Sequence, residues 1–351
     1  MAATEIDGMR STLVFILLLV GAIVAFCLDI ALGSVNISWE TLLALLTDPS
    51  SQPEELSFIL WQMRLPNALT AVMCGAGLAV SGLAMQTLFR NPLADASILG
   101  VSGGASLGVA LFMMGISLPG IGAAFVAGGI WQTMGMLLSA VAGAAVILLV
   151  IALLSRRMQD IASLLIVGVM ISFLSGAVVG LLQYYAPAEV VKHFQVWSLG
   201  SLEGNDMPDV LIMACTLLPS SLLFLFVPKQ LDALLIGERY AASVGVSVKR
   251  VRLYVILAAG VAVGVSTAYC GPIAFIGIAV PHIVRFLTGK SSHRLLIPFT
   301  LVAGAGFMPI CHMLTHVLKG GAVLPINMVT GIIGAPILIS LILRKERKAW
   351  K

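Results

Sequence analysis

The sequence predicts an all-α polytopic membrane protein with about ten transmembrane helices and both termini in the cytoplasm. Three observations carry this. The chain of 351 residues is 59% hydrophobic and only 10% charged, with a mean hydropathy of +1.06. Soluble domains carry about 25% charged residues, so lipid is the solvent this surface suits. The apolar residues come in continuous runs of the roughly 20 that a hydrocarbon-spanning helix needs, not in the alternation of a barrel strand. Finally, placing the N-terminus inside leaves only Arg64, Lys192 and Lys319 outside, of 20 Lys and Arg in all. The positive-inside rule favours that orientation and an even number of spans.

The runs fall at about 12–32, 68–89, 97–115, 131–154, 163–184, 209–227, 252–270, 272–288, 295–317 and 327–343. The first is too long for the apolar core of a cleavable signal, and no A-x-A-like site follows it. Asp29 falls near its outer end, where it is expected to be solvated. Residues 33–63 form an outer loop with Glu40, Asp48, Glu54 and Glu55, and with Trp39 and Trp61 suited to the interface. The glycines cluster within spans, as at Gly75, Gly77 and Gly82 and at Gly100, Gly103, Gly104 and Gly108, which predicts closely approaching helices. The fragment 119–130 adds a partial turn. A second outer loop, 185–208, carries Glu189, Lys192, Glu203 and Asp206, with Trp197 at the water boundary. The five cysteines lie in or beside apolar runs without a C-x-x-C pair and read as packing residues. The net charge of +4 is explained by orientation, so it does not point to nucleic acid.

Two inner segments stand out. In 90–104, RNPLADASILGVSGG, Asn91-Pro92 stops a helix and Asp95 or Ser97 can cap the next. It reads either as a well-made turn or as a constriction at the inner mouth of a pathway. In 229–252, KQLDALLIGERYAASVGVSVKRVR, charge returns to an otherwise oily chain. Leu231, Leu234 and Leu235 fall at i, i+3, i+4, one face of a short helix that Gly237 can end. A second short helix follows and Gly245 can end it. These are an interfacial anchor or a docking ledge for a soluble partner.

The chemistry the chain can host is limited. Ionisable groups are scarce within the spans, which disfavours an ion-driven secondary transporter, the rival reading. Residues 284–291, VRFLTGKS, miss a phosphate-binding loop because Val284 stands where glycine is needed and a membrane helix precedes Gly289-Lys290-Ser291. No H-E-x-x-H occurs, and no nucleophile elbow, which needs a strand before its serine, is expected. His312 and His316, at i, i+4, share a helix face. With no carboxylate near them in sequence, they read as a polar patch or helix contact, and no metal ligand set is expected. No catalytic or cofactor site is expected in the chain itself.

The stretch RLPNALTAVMCGAGLAVSGLAMQTLFRNPLADASILGVSGGASLGVAL (64–111) resembles the signature of the FecCD/BtuC-type permeases, the membrane subunits of ABC importers for ferric siderophores, haem and vitamin B12. LLIGERYAASVGV (234–246), GPIAFIGIAVPHIVRFLTGKSSHRLLIP (271–298) and LPINMVTGIIGAPILISLIL (324–343) are similar to further family segments, in the same order. The resemblance implies a BtuC-like type II importer fold, with the whole chain one permease domain. It implies a homodimer in a bacterial cytoplasmic membrane, with two ATP-binding subunits below that hold ATP and Mg²⁺, and one substrate-binding protein above. On that implication 229–249 is the coupling loop, through Leu234, Leu235, Gly237, Glu238, Arg239, Ala241, Ala242 and Gly245. Asn91, Pro92, Leu93, Ile161, Ala162 and Ser163 match the inner gate regions. Arg64, His316 and Lys319 match the face that docks the binding protein. Asn67 stands where the family often has a second arginine, and VLPIN (323–327) replaces the usual E-L-P-[IV]-G.

Overall fold

A computed structural model describes the chain except residues 1, 34, 36, 48–52, 116–129, 159–160, 317–322 and 350–351; Lys319 and the fragment 119–129 lie outside the described residues. The described residues form helices α1 (Ala2–Ala31), α2 (Trp39–Thr47), α3 (Glu54–Phe58), α4 (Leu65–Leu88), α5 (Val101–Gly115), α6 (Ile130–Arg157), α7 (Ile161–Tyr185), α8 (Ala188–Ser198), α9 (Met207–Leu222), α10 (Pro228–Ile236), α11 (Glu238–Ser243), α12 (Val248–Cys270), α13 (Ile276–Thr288), α14 (His293–Thr315) and α15 (Ile326–Ala349). Among the described residues, seven segments are long and apolar enough to span a membrane, and Val101–Gly115, Ile276–Thr288 and Ile326–Ser340 are shorter apolar helices. These are the ten expected segments.

One boundary is corrected. The second span does not begin at 68: α3, a π-helical turn at Ile59–Arg64 and α4 run on as one 35-residue rod from Glu54 to Leu88. Trp61 therefore sits inside a helix, not at a loop end. Polar residues such as Glu54, Glu55 and Arg64 hide the extension from hydropathy. Pro66 follows directly on the π-helical turn, where the Leu65 N–H already bonds back to Leu60 O and the α-helical ladder is interrupted, so the N–H it lacks is accommodated inside the rod.

α4 is the axis of the fold, with 83% of its most apolar window buried. It crosses α14 at Gly75 and Gly304, where a Cβ on either would lie 2.2–2.3 Å from the other's carbonyl oxygen. α13 meets α4 at Gly277 and Gly82, and α5 meets α6 at Gly104 and Gly143. Small residues thus let backbones touch, which is how membrane helices associate without a hydrophobic drive between them. Cys74 and Cys270 join this packing with thiols 3.7 Å apart. α1 lies outside α14 through Phe15 and Phe299, and Gly306 meets Ala22. α6 and α7 keep wide apolar faces open, including Leu138, Leu149, Phe173 and Leu174.

α13 has 13 residues, about 20 Å, against a hydrocarbon core of about 30 Å. The chain enters it through non-helical residues 271–274 and Phe275, whose φ of +72° is strained for an aromatic residue. Irregular backbone at membrane depth survives only where protein supplies its hydrogen bonds. Asn327 supplies them: its amide Nδ2 donates to Pro272 O, and its Oδ1 accepts from the Ala274 N–H at 2.9 Å. The family departure at 327 is thus a residue that braces the break.

Candidate functional site

The ledge expected on the cytoplasmic side is built from α10 and α11. Pro228 opens α10, where its fixed φ suits a first turn. Gly237, with φ 157° and ψ 153°, separates the two helices. Gly245, at φ +85°, closes α11: the Val246 N–H returns to Ala241 O at 2.9 Å and the Gly245 N–H to Ala242 O at 3.1 Å. These are the two breaks expected from the glycines. The predicted apolar face divides, however. Leu231, Leu234 and Ala241 are buried and hold the ledge to the bundle, whereas Leu235 is 43% exposed. With Ile236 at 67%, Tyr240 and Val244, Leu235 makes an exposed apolar patch beside Arg239, Ala242, Gly245, Lys249 and Arg250.

One ion pair and one hydrogen-bonded carboxylate tie this ledge inward. Arg252, 2% exposed, donates from Nη2 to Glu238 Oε1 at 2.8 Å and from Nη1 to Met158 O at 2.9 Å. Glu238 therefore closes a buried pair. Asp232 reaches the start of α14: it accepts from the His293 N–H at 2.8 Å and from Ser292 Oγ at 3.1 Å, and it bonds His293 Nδ1 at 2.6 Å. His293 Nε2 in turn meets Thr87 Oγ1 of α4 at 2.6 Å. The ledge is thereby continuous with the axial helix.

The inner loop between α4 and α5 lies beside it. Arg90 adopts φ +47°, and its guanidinium is the group nearest to Gly237. Asn91 Oδ1 accepts from the Leu93 N–H at 3.0 Å, and Pro92 O bonds His282 Nε2 at 2.9 Å. Pro92 and Leu93 are exposed. Asp95 caps the short 3₁₀ turn Ala96–Leu99, accepting from the Ala96 N–H at 2.7 Å and from Ser97 Oγ at 2.9 Å. Burial raises its carboxyl above the usual range, and these two bonds oppose that rise. α7 packs on this turn: a Cβ on Gly168 would come within 2.9 Å of Ile98 O. Ile161 opens α7, Ala162 is exposed and Ser163 half-buried, so the two segments expected to form a gate belong to elements in contact.

The opposite end of the bundle holds a pocket of about 170 Å³, lined by residues that include Asp29, Arg64, Asn67, Glu203, His312 and His316. The structure corrects one expectation here, the solvation of Asp29. Arg64 is 9% exposed, and its guanidinium donates to Ile30 O at 2.9 Å and Ala31 O at 2.8 Å, capping the end of α1, and to Val35 O. Asp29 is not solvated: it is buried, with Oδ1 bonded to His312 Nδ1 at 2.8 Å.

His312 and His316 do share a face, with ring centroids 5.1 Å apart. The carboxylates that seemed missing come from α1 and from the second outer loop. Glu203 is placed there by Leu202, which is buried, and by Ser201, whose N–H donates to Cys270 O at 2.8 Å. Its Oε1 stands 3.6 Å from His316 Nε2. Burial, then His312, lowers the basicity of His316, against the pull of Glu203 and Asp29. Sequence reasoning missed this cluster because its two carboxylates lie more than a hundred residues from the histidines and from each other. A signal did exist: all four fall at the outer ends of predicted spans or in an outer loop.

The FecCD transport family matches residues 18–344. The hemin transport system permease protein HmuU of Yersinia pestis is 34% identical over 94% of this chain and 97% of its own length. The vitamin B12 import system permease protein BtuC of Citrobacter koseri is 35% identical over 82% of this chain and 83% of its own. Among solved structures, a chain in an inward-facing conformation, assigned to the metal-chelate type of ABC transporter, superposes with a TM-score of 0.80 at 27% identity, covering 94% of this chain and 98% of that one.

Proposed function

Because the chain belongs to the FecCD transport family, we propose that it is the permease subunit of an ABC importer that takes up a haem, ferric siderophore or cobalamin by alternating access, with ATP and Mg²⁺ held by separate subunits. The observation that carries this reading is the exposed apolar patch on α10–α11, cross-linked through Asp232, His293 and Thr87 to the axial helix. A soluble partner pressing on Leu235 and Ile236 moves a ledge that is hydrogen-bonded to the core, so force reaches α4 and the adjoining loop at Arg90–Leu93. A second copy of the chain fits the open apolar faces of α6 and α7. A cavity of about 600 Å³ between α5 and α6, lined by Leu107, Leu111, Phe112 and Ser139 among others, supports that pairing. A substrate-binding protein docks above; with Arg64 turned inward, Lys319 and the exposed residues of α8 are the remaining groups to meet it. Multiple spans and bacterial relatives point to the bacterial cytoplasmic membrane.

The test is a Leu235→Asp/Ile236→Asp variant co-expressed with the ATP-binding subunits in proteoliposomes. The expected result is normal insertion and thermal stability with loss of ATPase co-purification and of ATP-driven uptake. Undiminished coupling overturns the assignment of the ledge. One observation favours a second reading: the buried Asp29–His312 pair is the kind of intramembrane ionisable group an ion-driven carrier uses. Uptake that survives without the ATPase and collapses with the proton gradient would select it.

A further inference from the structure

We propose that Glu203, His312 and His316 form a binding site for a divalent transition-metal ion of the Zn²⁺ class at the outer end of the bundle. One ligand atom from each lies within 4.8 Å of the others. The donor set, two imidazoles and a carboxylate, suits borderline metals and is wrong for Mg²⁺ or Ca²⁺, which take oxygen ligands. Three protein ligands leave a fourth position open to water or to a donor atom of an arriving molecule.

Four details separate this from an ordinary polar contact between helices. His312 is 95% buried, and its Nε2 makes no hydrogen bond among the described residues. Leaving such a group unsatisfied costs about 1–3 kcal/mol, so a merely structural histidine is expected to have found a partner. Its other nitrogen, Nδ1, is engaged by Asp29 at 2.8 Å. A carboxylate on one ring nitrogen orients the ring, fixes the tautomer and leaves the opposite nitrogen as a metal donor. Secondly, Glu203 Oε1 and His316 Nε2 stand 3.6 Å apart, too far for a hydrogen bond. That separation is close to the roughly 3.4 Å between two ligands on one tetrahedral zinc. Thirdly, the members come from three separate parts of the chain, α1, α14 and the loop before α9, onto one pocket. Lastly, the local charge is right. Arg64 lines the same pocket but directs its guanidinium to two carbonyls of the α1 end and to Val35 O, while Asp29 and Glu203 bring two carboxylates. The balance is negative, and a cation is attracted.

The site does not depend on the transport reading, and its test needs no transport. Co²⁺ is titrated into the untagged, full-length chain in detergent and followed by its visible absorption. The expected result is one Co²⁺ per chain with the strong bands of a four- or five-coordinate N/O site, displaced by Zn²⁺ and unaffected by excess Mg²⁺. His312→Ala and His316→Ala should abolish the bands. Glu203→Gln, at a partly exposed side chain whose change spares the fold, should weaken binding while leaving the melting temperature unchanged without metal. Asp29→Asn should lower affinity by about 10–100-fold through its effect on His312. His193→Ala, an exposed histidine of the outer helix α8, should change nothing. Absence of Co²⁺ binding to the unaltered chain overturns the proposal. So does binding that persists at one equivalent in Glu203→Gln and in the His312→Ala/His316→Ala double variant.

Discussion

The two ends of the bundle handle polar and apolar groups in opposite ways. At the end that carries the ledge, charge is used to fasten and hydrophobic area is left in the open: Arg252 and Asp232 are bonded inward while Leu235 and Ile236 face out. At the outer end, the titratable groups themselves are gathered in a pocket, with Asp29 Oδ2, His312 Nε2 and His316 Nδ1 buried and lacking partners among the described residues. An exposed apolar patch is the mark of a surface awaiting a macromolecule. A cluster of buried, unsatisfied donors and acceptors is the mark of a place awaiting something small. One end is made to be pushed and the other to be filled.

Three substitutions break or sharpen this contrast, in falling order of effect. Glu238→Ala takes the carboxylate from a buried guanidinium and should destabilise the protein by about 3 kcal/mol. Thermal unfolding in detergent reads this, and a melting temperature equal to the parent's would show that the inner end is not cross-braced. Asp232→Ala removes the bonds to His293 and Ser292 at the start of α14 and should cost about 2 kcal/mol. Its sharper signature is functional: the ATP-binding subunits should still co-purify, while ATP hydrolysis no longer responds to loading of the outer face. If hydrolysis still responds, force travels by another route. Arg64→Lys, at the outer end, keeps the charge but loses the fork that caps three carbonyls, and should cost about 1 kcal/mol. Faster amide exchange confined to 28–35, with docking of a binding protein unimpaired, would confirm Arg64 as a brace; lost docking would restore it to the contact face.

How much of this was legible follows from the range of each signal. A span is a local property, so ten apolar segments, the helix stop at Asn91-Pro92, the Asp95 cap and the breaks at Gly237 and Gly245 all follow from neighbours in sequence. The fate of a single polar residue inside a span is not local. Asp29 and Arg64 look solvated on a hydropathy scale, yet each is buried by a partner far along the chain. Leu235 differs from Leu234 by one step around a nine-residue helix, and only packing decides which of them turns outward. Asn327 looked like a loss from a family motif; the break it braces at 272–274 is invisible until the fold brings the two together.

The π-helical turn at Ile59–Arg64 has a consequence for how this rod tolerates change. Such a turn holds one residue more than an α-helix needs, so the segments on either side are out of phase by about 100°. Leu56 upstream and Leu60 at the start of the turn pack with the small cluster of Ala31, Leu42 and Leu45; downstream, the glycine face of α4 meets α14. Deleting Gln62 there would leave every span in place and every hydrophobic count unaltered. It would still turn the outer segment by a quarter of a revolution relative to the rest. Arg64 would swing away from the carbonyls of α1, and length, not polarity, would be what broke the outer end.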